Sequence, residues 1–367
     1  MPKGKKRMTI KPELNLAIDA GNGTTCIVSE QGQALVFPSV IQQVEDIRLD
    51  GRGSQGFTIH ISRQNAETGD YQDRKSFAVG ETANLLPGLK TRITDKSRIG
   101  SEYQLTLILA GTVKALDALI DNDATEIKAS VIWWLNVPPI YYGFAGKLYD
   151  LAGCYQVEYN RRTYTLNAKI GHVYPEGAGA AAVYMLDESG HFANPQFATG
   201  RTGIVDGGYR TVDSAIFEGP VLLENSAQSL TNSISGVYHL MQQWAMQEFG
   251  EDWTEQECEA HLRNGYAVLR ESKERVDLAD WIDDLGSRLA DLIEADIFQK
   301  QWNGLGDVDR VILAGGVSYM VAQHLKERYP AVIHLREEYP HTQNVPYELM
   351  NAEGHMRLLK AELQRQS

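Results

Sequence analysis

Two segments that lie far apart in the chain are built alike: an apolar run leads into an aspartate and then into a glycine turn. The first is Leu16–Thr25 and the second is Ile204–Asp213. A third glycine turn, within Val311–Ser318, also follows an apolar run. Glycines at strand ends let backbone N–H groups approach an anion with no Cβ in the way. The ordered set predicts two strand–turn–strand hairpins that hold a phosphate group and a third turn that holds the rest of its molecule.

The first hairpin combines an acidic strand end with a donor-rich turn. Asp19 would repel a phosphate directly, so its position makes sense if a Mg²⁺ held through water stands between them. Beyond it, the groups expected to face the phosphate are those of Gly21, Asn22, Gly23, Thr24 and Thr25. The sequence therefore predicts a metal–phosphate site at this turn.

The second hairpin offers the same arrangement from another part of the chain. Asp206 is the expected metal-holding carboxylate, and Gly207, Gly208 and Tyr209 form the expected phosphate turn. Thr211 and Asp213 continue the hairpin. An isolated Asp-Gly turn is usually structural, but two such turns in order favour a phosphate ligand.

Glu176 is the candidate for orienting an attacking water. It opens a small-residue helix, Ala178–Met185, and stands between the two hairpins in sequence. A carboxylate can hold water in line with a terminal phosphate, although a helix-start glutamate also simply suits the helix dipole.

The third turn is expected to lie under a nucleoside. Gly315, Gly316 and Val317 would present bare backbone to a base or ribose, and Ser318 would cap the next helix. No GxGxxG motif follows a strand and no GxxxxGK[ST] motif occurs, which argues against the common nucleotide-binding folds with those motifs.

Composition limits the functional class. The 367 residues favour two domains, and a net charge of −13 disfavours direct binding to a DNA backbone. The three cysteines are far apart, so neither a disulfide framework nor a zinc site is predicted. No apolar run reaches the length of a membrane span, and the basic start of the chain lacks the apolar region of a secretory signal. We expect a cytoplasmic protein.

The element order predicts two related α/β halves that face a cleft. Each half begins with a meander of strands, and residues of about 39–100 form an insertion with a short sheet. The expected elements are strands at Gly56–Ser62, Ser76–Val79, Ala129–Val137 and Val311–Leu313, and helices at Tyr103–Ile120, Ala178–Met185, Ser226–Met246, Asp280–Trp302 and Leu349–Leu363.

These motifs resemble those of the actin, sugar-kinase and heat-shock ATPase superfamily. The first and second phosphate motifs look like Asp19–Thr24 and Asp206–Asp213. The first connecting motif looks like Glu176–Ala180, and the adenosine motif looks like Leu313–Gly316. Asn351–Gly354 resembles the second connecting motif. The resemblance covers about residues 14–363 and is closest to the ParM-like bacterial and archaeal actins that segregate plasmids.

The resemblance implies an α/β fold of two actin-like, ribonuclease H-like domains with a central nucleotide cleft, each with a mixed five-stranded sheet flanked by helices. It also implies ATP or GTP with Mg²⁺, hydrolysis coupled to filament assembly, and an adaptor protein if DNA is the cargo. The implied divisions are a basic disordered tail at 1–12, domain I at 13–176, domain II at 177–345 with a helical subdomain at about 236–300, and a C-terminal helix at 346–367 that returns to domain I.

Two alternatives remain open within the same superfamily. The first is a small-molecule kinase, for which Asp213 is the available base, and the second is a non-polymerising scaffold or reactivating chaperone. Tyr209 and Arg210 depart from the small residues usual after the second glycine pair. If filaments form, the segments 39–100 and 246–280 are the expected contact surfaces.

Overall fold

The computed structural model describes residues 6–45, 56–93, 95–223, 225–231 and 234–366. The chain divides into two compact units. Unit 1 comprises residues 1–179 and 351–367, and unit 2 comprises residues 180–350. The divisions thus lie a few residues beyond the expected ones at 176 and 345, because the first turn of the helix after Glu176 packs within unit 1.

The described part of unit 1 contains nine strands. They are β1 (Arg7–Ala20), β2 (Thr24–Ser29), β3 (Ala34–Pro38), β4 (Ile41–Gln43), β5 (Gly56–Gln64), β6 (Tyr71–Gly80), β7 (Glu126–Val137), β8 (Gly153–Tyr159) and β9 (Arg162–Pro175). They form one mixed sheet in the order β3-β2-β1-β7-β9-β8-β5-β6-β4. Strands β1, β7 and β9 are parallel at its centre, and the hairpin partner of β1 is β2.

Two expectations about unit 1 are wrong. The sheet has nine strands where five were expected, because the insertion does not form a sheet of its own: β5 pairs with β8 and carries β6 and β4 with it. The tail expected at 1–12 is ordered from Arg7, because Arg7–Ile10 pair in parallel with β7. Residues 1–5 lie outside the described residues.

The helices of unit 1 cover the sheet and supply its core contacts. They are α1 (Glu81–Leu85), α2 (Glu102–Ala118), α3 (Gly146–Tyr149) and α9 (Met350–Gln366), with 3₁₀ turns at Lys96–Arg98 and Pro139–Phe144. Ser101 caps α2, whose side chains are mostly buried. The indole of Trp133 in β7 donates to Thr112 of α2 at 2.9 Å, which fixes the helix on the sheet.

Unit 2 is built on a smaller mixed sheet. Its described strands are β10 (Arg201–Gly207), β11 (Val212–Glu218), β12 (Val221–Leu222), β13 (Gln228–Leu230), β14 (Tyr266–Val268), β15 (Arg275–Asp277), β16 (Arg310–Ala314) and β17 (Ile333–His334). The main sheet has the order β12-β11-β10-β16-β17, and β13 also pairs with β11. The antiparallel hairpin β10–β11 lies beside the parallel strand β16.

The helices of unit 2 follow its hairpin. They are α4 (Ala178–Met185), which begins in unit 1, α5 (Ile234–Phe249), α6 (Glu255–Asn264), α7 (Ala279–Ile293) and α8 (Ser318–Arg328), with 3₁₀ turns at Pro195–Ala198, Asn303–Leu305, Arg336–Glu338 and Tyr347–Leu349. A π-helical segment, Glu294–Gln301, continues α7. Trp302 is buried under Gly203, where a Cβ would lie 2.7 Å from the indole.

Two expected helices differ from the structure. The segment expected as one helix at Ser226–Met246 contains β13, because Gln228–Leu230 pair with β11, and among the described residues α5 covers Ile234–Phe249. The helix expected at Asp280–Trp302 ends as regular α-helix at Ile293. In the part of the chain that the structure describes, no helix is both long and apolar enough to cross a membrane.

Candidate functional site

The first glycine turn joins β1 to β2 in unit 1. Asp19 pairs in register with Cys26, so the aspartate stands at the last position but one of β1. Gly21 does not take a positive φ; it is needed because a Cβ there would lie 2.9 Å from the carbonyl oxygen of Thr24. Asn22 in the turn has a buried Oδ1 with no hydrogen-bond partner among the described residues. The turn is therefore tight, and the Asn22 side chain has an oxygen that could bind a ligand.

The two threonines after this turn have different surroundings. Thr25 is fully buried, and its hydroxyl is hydrogen-bonded to that of Ser39 at 2.9 Å. The expectation that the Thr25 hydroxyl faces a phosphate is therefore wrong, because neighbouring side chains of a strand point to opposite faces. Thr24 is only partly buried and stays a candidate donor.

Asp19 lies in a buried polar cluster. Its neighbours are Asn136, one residue beyond the β7 partner of Ile18, and Asn351 of α9. Burial raises the pKa of Asp19, although Asn136, the Arg98 guanidinium and Asn351 oppose that shift. Its Oδ1 has no hydrogen-bond partner within the described part of the chain. A buried carboxylate oxygen in this state is suited to a cation or to an ordered water.

Glu176 joins this cluster from the end of β9. Its backbone N–H donates to the carbonyl of Val137 at 2.8 Å, which aligns the ends of β9 and β7. Its Oε1 lies 3.8 Å from Nη2 of Arg98, whose side chain is 3% exposed. Asp19 and Glu176, both named from sequence, are thus brought together around one buried guanidinium.

Asn351 and Gly179 connect this cluster to the helices α4 and α9. The Asn351 side chain accepts a hydrogen bond from the Gly177 backbone N–H at 2.9 Å. A Cβ on Gly179 would lie 2.2 Å from the Asn351 carbonyl oxygen. Glycine at this position therefore allows a close approach between the two backbones.

The second glycine turn joins β10 to β11 in unit 2. Asp206 and Asp213 face each other in register across the hairpin. Like charges directly opposite in a sheet are destabilising, so a nearby cation would stabilise this pair. Thr211 donates to Asp213 at 2.7 Å, and the Gly208 N–H donates to the Thr211 carbonyl at 2.9 Å. Asp213 therefore belongs to the hairpin, as its position in the sequence suggested.

The Tyr209 side chain extends to the helical part of unit 2. Its hydroxyl donates to Glu255 of α6, and its ring centroid lies 6.2 Å from that of Tyr238 in α5. Any contact of Tyr209 with a phosphate would therefore come from its backbone, and that contact stays a prediction.

The third glycine turn packs directly on the second. Gly315 has φ +77°, and a Cβ there would lie 2.4 Å from Asp206 Oδ1. The Val317 N–H donates to the Gly207 carbonyl at 3.0 Å, which locks the two turns together. A Cβ on Gly316 would meet nothing within 4 Å, so this backbone borders open space. Ser318 does not cap α8, because its hydroxyl donates to the Ala314 carbonyl at 2.6 Å.

The predicted site residues thus form one group in each unit. Asp19, Glu176 and the turn from Gly21 lie together in unit 1, and Asp206, Gly207 and the turn from Gly315 lie together in unit 2. Within the described ranges, no three His, Cys, Asp or Glu side chains gather as a metal site. The oxygen donors of each group still fit Mg²⁺, which is usually held by one or two carboxylates, waters and phosphate oxygens.

Comparisons with known proteins identify the fold. The C-terminal domain of the MreB-like archaeal actin homologue family matches residues 204–327, which run from β10 into α8. ParM of Bacillus thuringiensis with ATP superposes with a TM-score of 0.70 at 16% identity, covering 97% of this chain and 100% of ParM. The chain has the actin-like fold.

Two further structures share this actin-like fold. The archaeal actin homologue Ta0583 with ADP gives a TM-score of 0.71 at 15% identity, covering 96% of this chain and 100% of Ta0583. A ParM from a 15-stranded filament of Clostridium botulinum gives 0.63 at 19% identity, covering 97% and 100%. The comparison with curated proteins gave no match.

Three residues at the site of this actin-like chain were not predicted from sequence: Arg98, Asn136 and Asn351. Asn136 was visible as a polar residue near the end of an apolar strand, and Asn351 lay within a recognised helix motif without a role. Arg98 follows Lys96 in a polar stretch that looks like solvated surface. Only the folded chain reveals that its guanidinium is buried.

Proposed function

We propose that the chain binds a purine nucleoside triphosphate with Mg²⁺, hydrolyses it and assembles into filaments. The observation that carries this proposal is the buried cluster of Asp19, Glu176 and Arg98 at the β1–β2 turn of a chain with the actin-like fold. The clustered carboxylates suit a hydrated cation, and the neighbouring glycine turn suits phosphate.

Binding is assigned to the three turns. Asp19 and Asp206 would hold the hydrated metal, and the backbone groups of Gly21–Thr24 and Gly207–Tyr209 would hold phosphate oxygens. Gly315–Val317 would lie under the nucleoside, where the open space above Gly316 supports a close backbone contact. When bound, Mg²⁺ would neutralise part of the phosphate charge.

Hydrolysis is assigned to Glu176. Its carboxylate would accept a hydrogen bond from a water and hold that water in line with the terminal phosphorus. The water oxygen bonds to phosphorus while the bond to the bridging oxygen breaks, and the bonding electrons leave with the diphosphate. The proton of the water passes to a phosphate oxygen, so the products are the diphosphate and inorganic phosphate.

ATP is the proposed substrate, and GTP is the alternative that the same assay compares. Solved structures of similar fold hold ATP and ADP, which supports an adenine nucleotide here. The Asp213 hydrogen bond with Thr211 gives no support to a kinase in which Asp213 takes a proton from an acceptor.

Filament assembly is proposed from the fold and from exposed apolar surface. A ParM of similar fold forms a 15-stranded filament. Leu85, the last residue of α1, and Leu89, four residues further on, are 85% and 90% exposed. Both lie in the segment 39–100 expected to make filament contacts, and a second copy of the chain would remove them from water. We propose a cytoplasmic filament that positions DNA through an adaptor protein.

One experiment tests turnover and assembly together. Phosphate release and sedimentation are measured with ATP or GTP and Mg²⁺ for the wild type and for Glu176→Ala. We expect Glu176→Ala to bind ATP but to lose roughly 10²-fold or more in turnover. Glu158→Ala, which removes a surface carboxylate paired with Arg74, is the control and should keep wild-type turnover. Equal turnover in wild type and Glu176→Ala would remove the role given to Glu176.

A further inference from the structure

Arg98 is a buried cation that has no role in the hydrolysis proposed above. It ends the 3₁₀ turn Lys96–Arg98, just before α2. Asp95 fixes this turn, because its Oδ1 accepts hydrogen bonds from the Ser97 backbone N–H at 2.8 Å and from the Ser97 hydroxyl at 2.5 Å. A short segment that is fixed by these hydrogen bonds thus places the guanidinium in the interior.

The charges around Arg98 are only partly matched by hydrogen bonds. Glu176 lies 3.8 Å from Nη2, beyond hydrogen-bond distance, and the guanidinium acts on Asp19 and Tyr103 as a nearby charge. Nη1 is buried and has no hydrogen-bond partner in the described ranges. A buried guanidinium donor without an acceptor is costly, so a native chain that keeps one usually has a reason.

The missing acceptor has a definite chemical character. It must be an anion or a strong acceptor that enters beside Asp19 and Glu176, since these carboxylates do not occupy Nη1. A phosphate fits, because the planar donor fork of arginine matches phosphate oxygens better than any other side chain. Without such a cation, Asp19 and Glu176 would repel the terminal phosphate that the proposed reaction brings to them.

We propose that Arg98 donates hydrogen bonds to the terminal phosphoryl group of the bound triphosphate. This inference rests on the proposed function. Arg98 distinguishes triphosphate from diphosphate, because only the former places a phosphate beside Glu176. It also stabilises the charge that gathers on the phosphoryl oxygens during transfer, as arginines supplied in cis do in other nucleotide hydrolases.

The competing role for Arg98 is purely structural. In that case, loss of the buried ion pair would lower the stability of unit 1 and would weaken the binding of all nucleotides equally. The proposal instead requires a selective loss. Arg162 provides the matched control, because it also pairs with a carboxylate inside unit 1, at 2.5 Å from Asp117, but it lies at the start of β9 and bonds to Ala124 and Asn122.

The test compares binding of AMPPNP and ADP, each with Mg²⁺, to the wild type, Arg98→Lys, Arg98→Gln and Arg162→Lys. We expect both Arg98 variants to lose AMPPNP affinity by about 10-fold to 100-fold, as for a lost charged hydrogen bond, and to keep ADP affinity within about 3-fold. Arg162→Lys should keep the wild-type ratio. Single-turnover ATP hydrolysis should fall by about 10²-fold or more in both Arg98 variants.

The outcomes distinguish a failure of the Arg98 role from a failure of the proposed function. Equal loss of AMPPNP and ADP affinity in folded Arg98→Lys, or no loss of either, would overturn the role of Arg98. If Arg98→Gln does not fold, Arg98→Lys keeps the charge and still removes the fork. A wild type that binds neither nucleotide would instead remove the proposed function, and that result is seen before any variant is made.

Discussion

Gly354 of α9 lies against the backbone of Gly179 in α4: a Cβ built on Gly354 would stand 1.8 Å from the Gly179 carbonyl oxygen. The main chains are therefore in contact at these two glycines. Asn351, one turn earlier in α9, accepts the Gly177 N–H and also lies beside Asp19. The glycine contact thus sets the position of a residue that touches the proposed metal site.

Substitution of Gly354 by alanine should disturb this contact. The extra methyl group has no room against main-chain atoms, so we expect a loss of about 1–3 kcal/mol in the free energy of unfolding and weaker nucleotide binding. Chemical denaturation and ATP titration measure both effects. Gly146→Ala is the control, because a Cβ there meets nothing within 4 Å, and equal behaviour of the two variants would show that the contact is not tight.

The neighbouring glycines 315 and 316 should respond differently to alanine. Gly315→Ala combines a positive φ with a Cβ 2.4 Å from Asp206, so we expect a loss of about 2 kcal/mol or more in stability. Gly316→Ala has free space and should fold normally. If Gly316 lies under the nucleoside, its variant should still bind nucleotide more weakly than wild type, and unchanged affinity would argue against that placement.

His355 should make the protein sensitive to acid. It is fully buried, neither ring nitrogen has a partner among the described residues, and its ring stacks on Tyr174 at 4.7 Å. Burial, with a smaller contribution from His172, lowers the pKa of His355 to about 3. The unfolded chain therefore takes up this proton below its ordinary pKa of about 6.5, whereas the folded chain does so only near 3.

Stability should consequently fall as the pH drops from 6.5 towards 3, by up to about 1.4 kcal/mol per pH unit from this group alone. His355→Phe keeps the stacked ring and removes the titration, so its denaturation midpoint should fall less between pH 6.5 and 4.5. His191→Gln, at an exposed histidine, should follow the wild type. Parallel curves for wild type and His355→Phe would contradict this assignment.

Filament contacts should depend on Leu85 and Leu89. The double change to aspartate should leave the fold intact, because both side chains are already in water, but it should make burial against a second copy costly. Sedimentation with ATP should lose the polymer while the monomer still binds ATP. Leu363→Asp, at an exposed position near the end of α9, should still sediment. Normal sedimentation of the double variant would show that the filament contact lies elsewhere on the chain.

Sequence patterns predicted local structure well where the hydrophobic period and turn chemistry agreed. Helix α4 has the predicted bounds, and the hairpins that hold Asp19 and Asp206 form as expected. The patterns failed where pairing partners are distant. Nothing near β5 indicates that it joins β8, and nothing near Gln228 indicates that it pairs with β11.

The same distinction applies to the site. Asp19 and Glu176 stand in recognisable motifs, so their roles could be proposed from the sequence. Arg98 could not be found in this way, because its burial depends on tertiary packing and the three residues before it are polar. Thr25 was misplaced for a related reason: the alternation of strand faces decides which of two adjacent threonines faces the ligand, and the motif alone does not give the face.

The most direct test of the account is a calorimetric titration of ATP with and without Mg²⁺, on the wild type, Asp19→Asn and Asp206→Asn. We expect one ATP per chain, tight only with Mg²⁺, and a large loss of the Mg²⁺-dependent part of the affinity in each variant, because each removes one of the two carboxylates proposed to hold the metal. Glu13→Gln, at a surface carboxylate paired with Lys169, should bind as the wild type does. No ATP uptake by the wild type, or uptake that neither Mg²⁺ nor the two aspartates affect, would contradict the account.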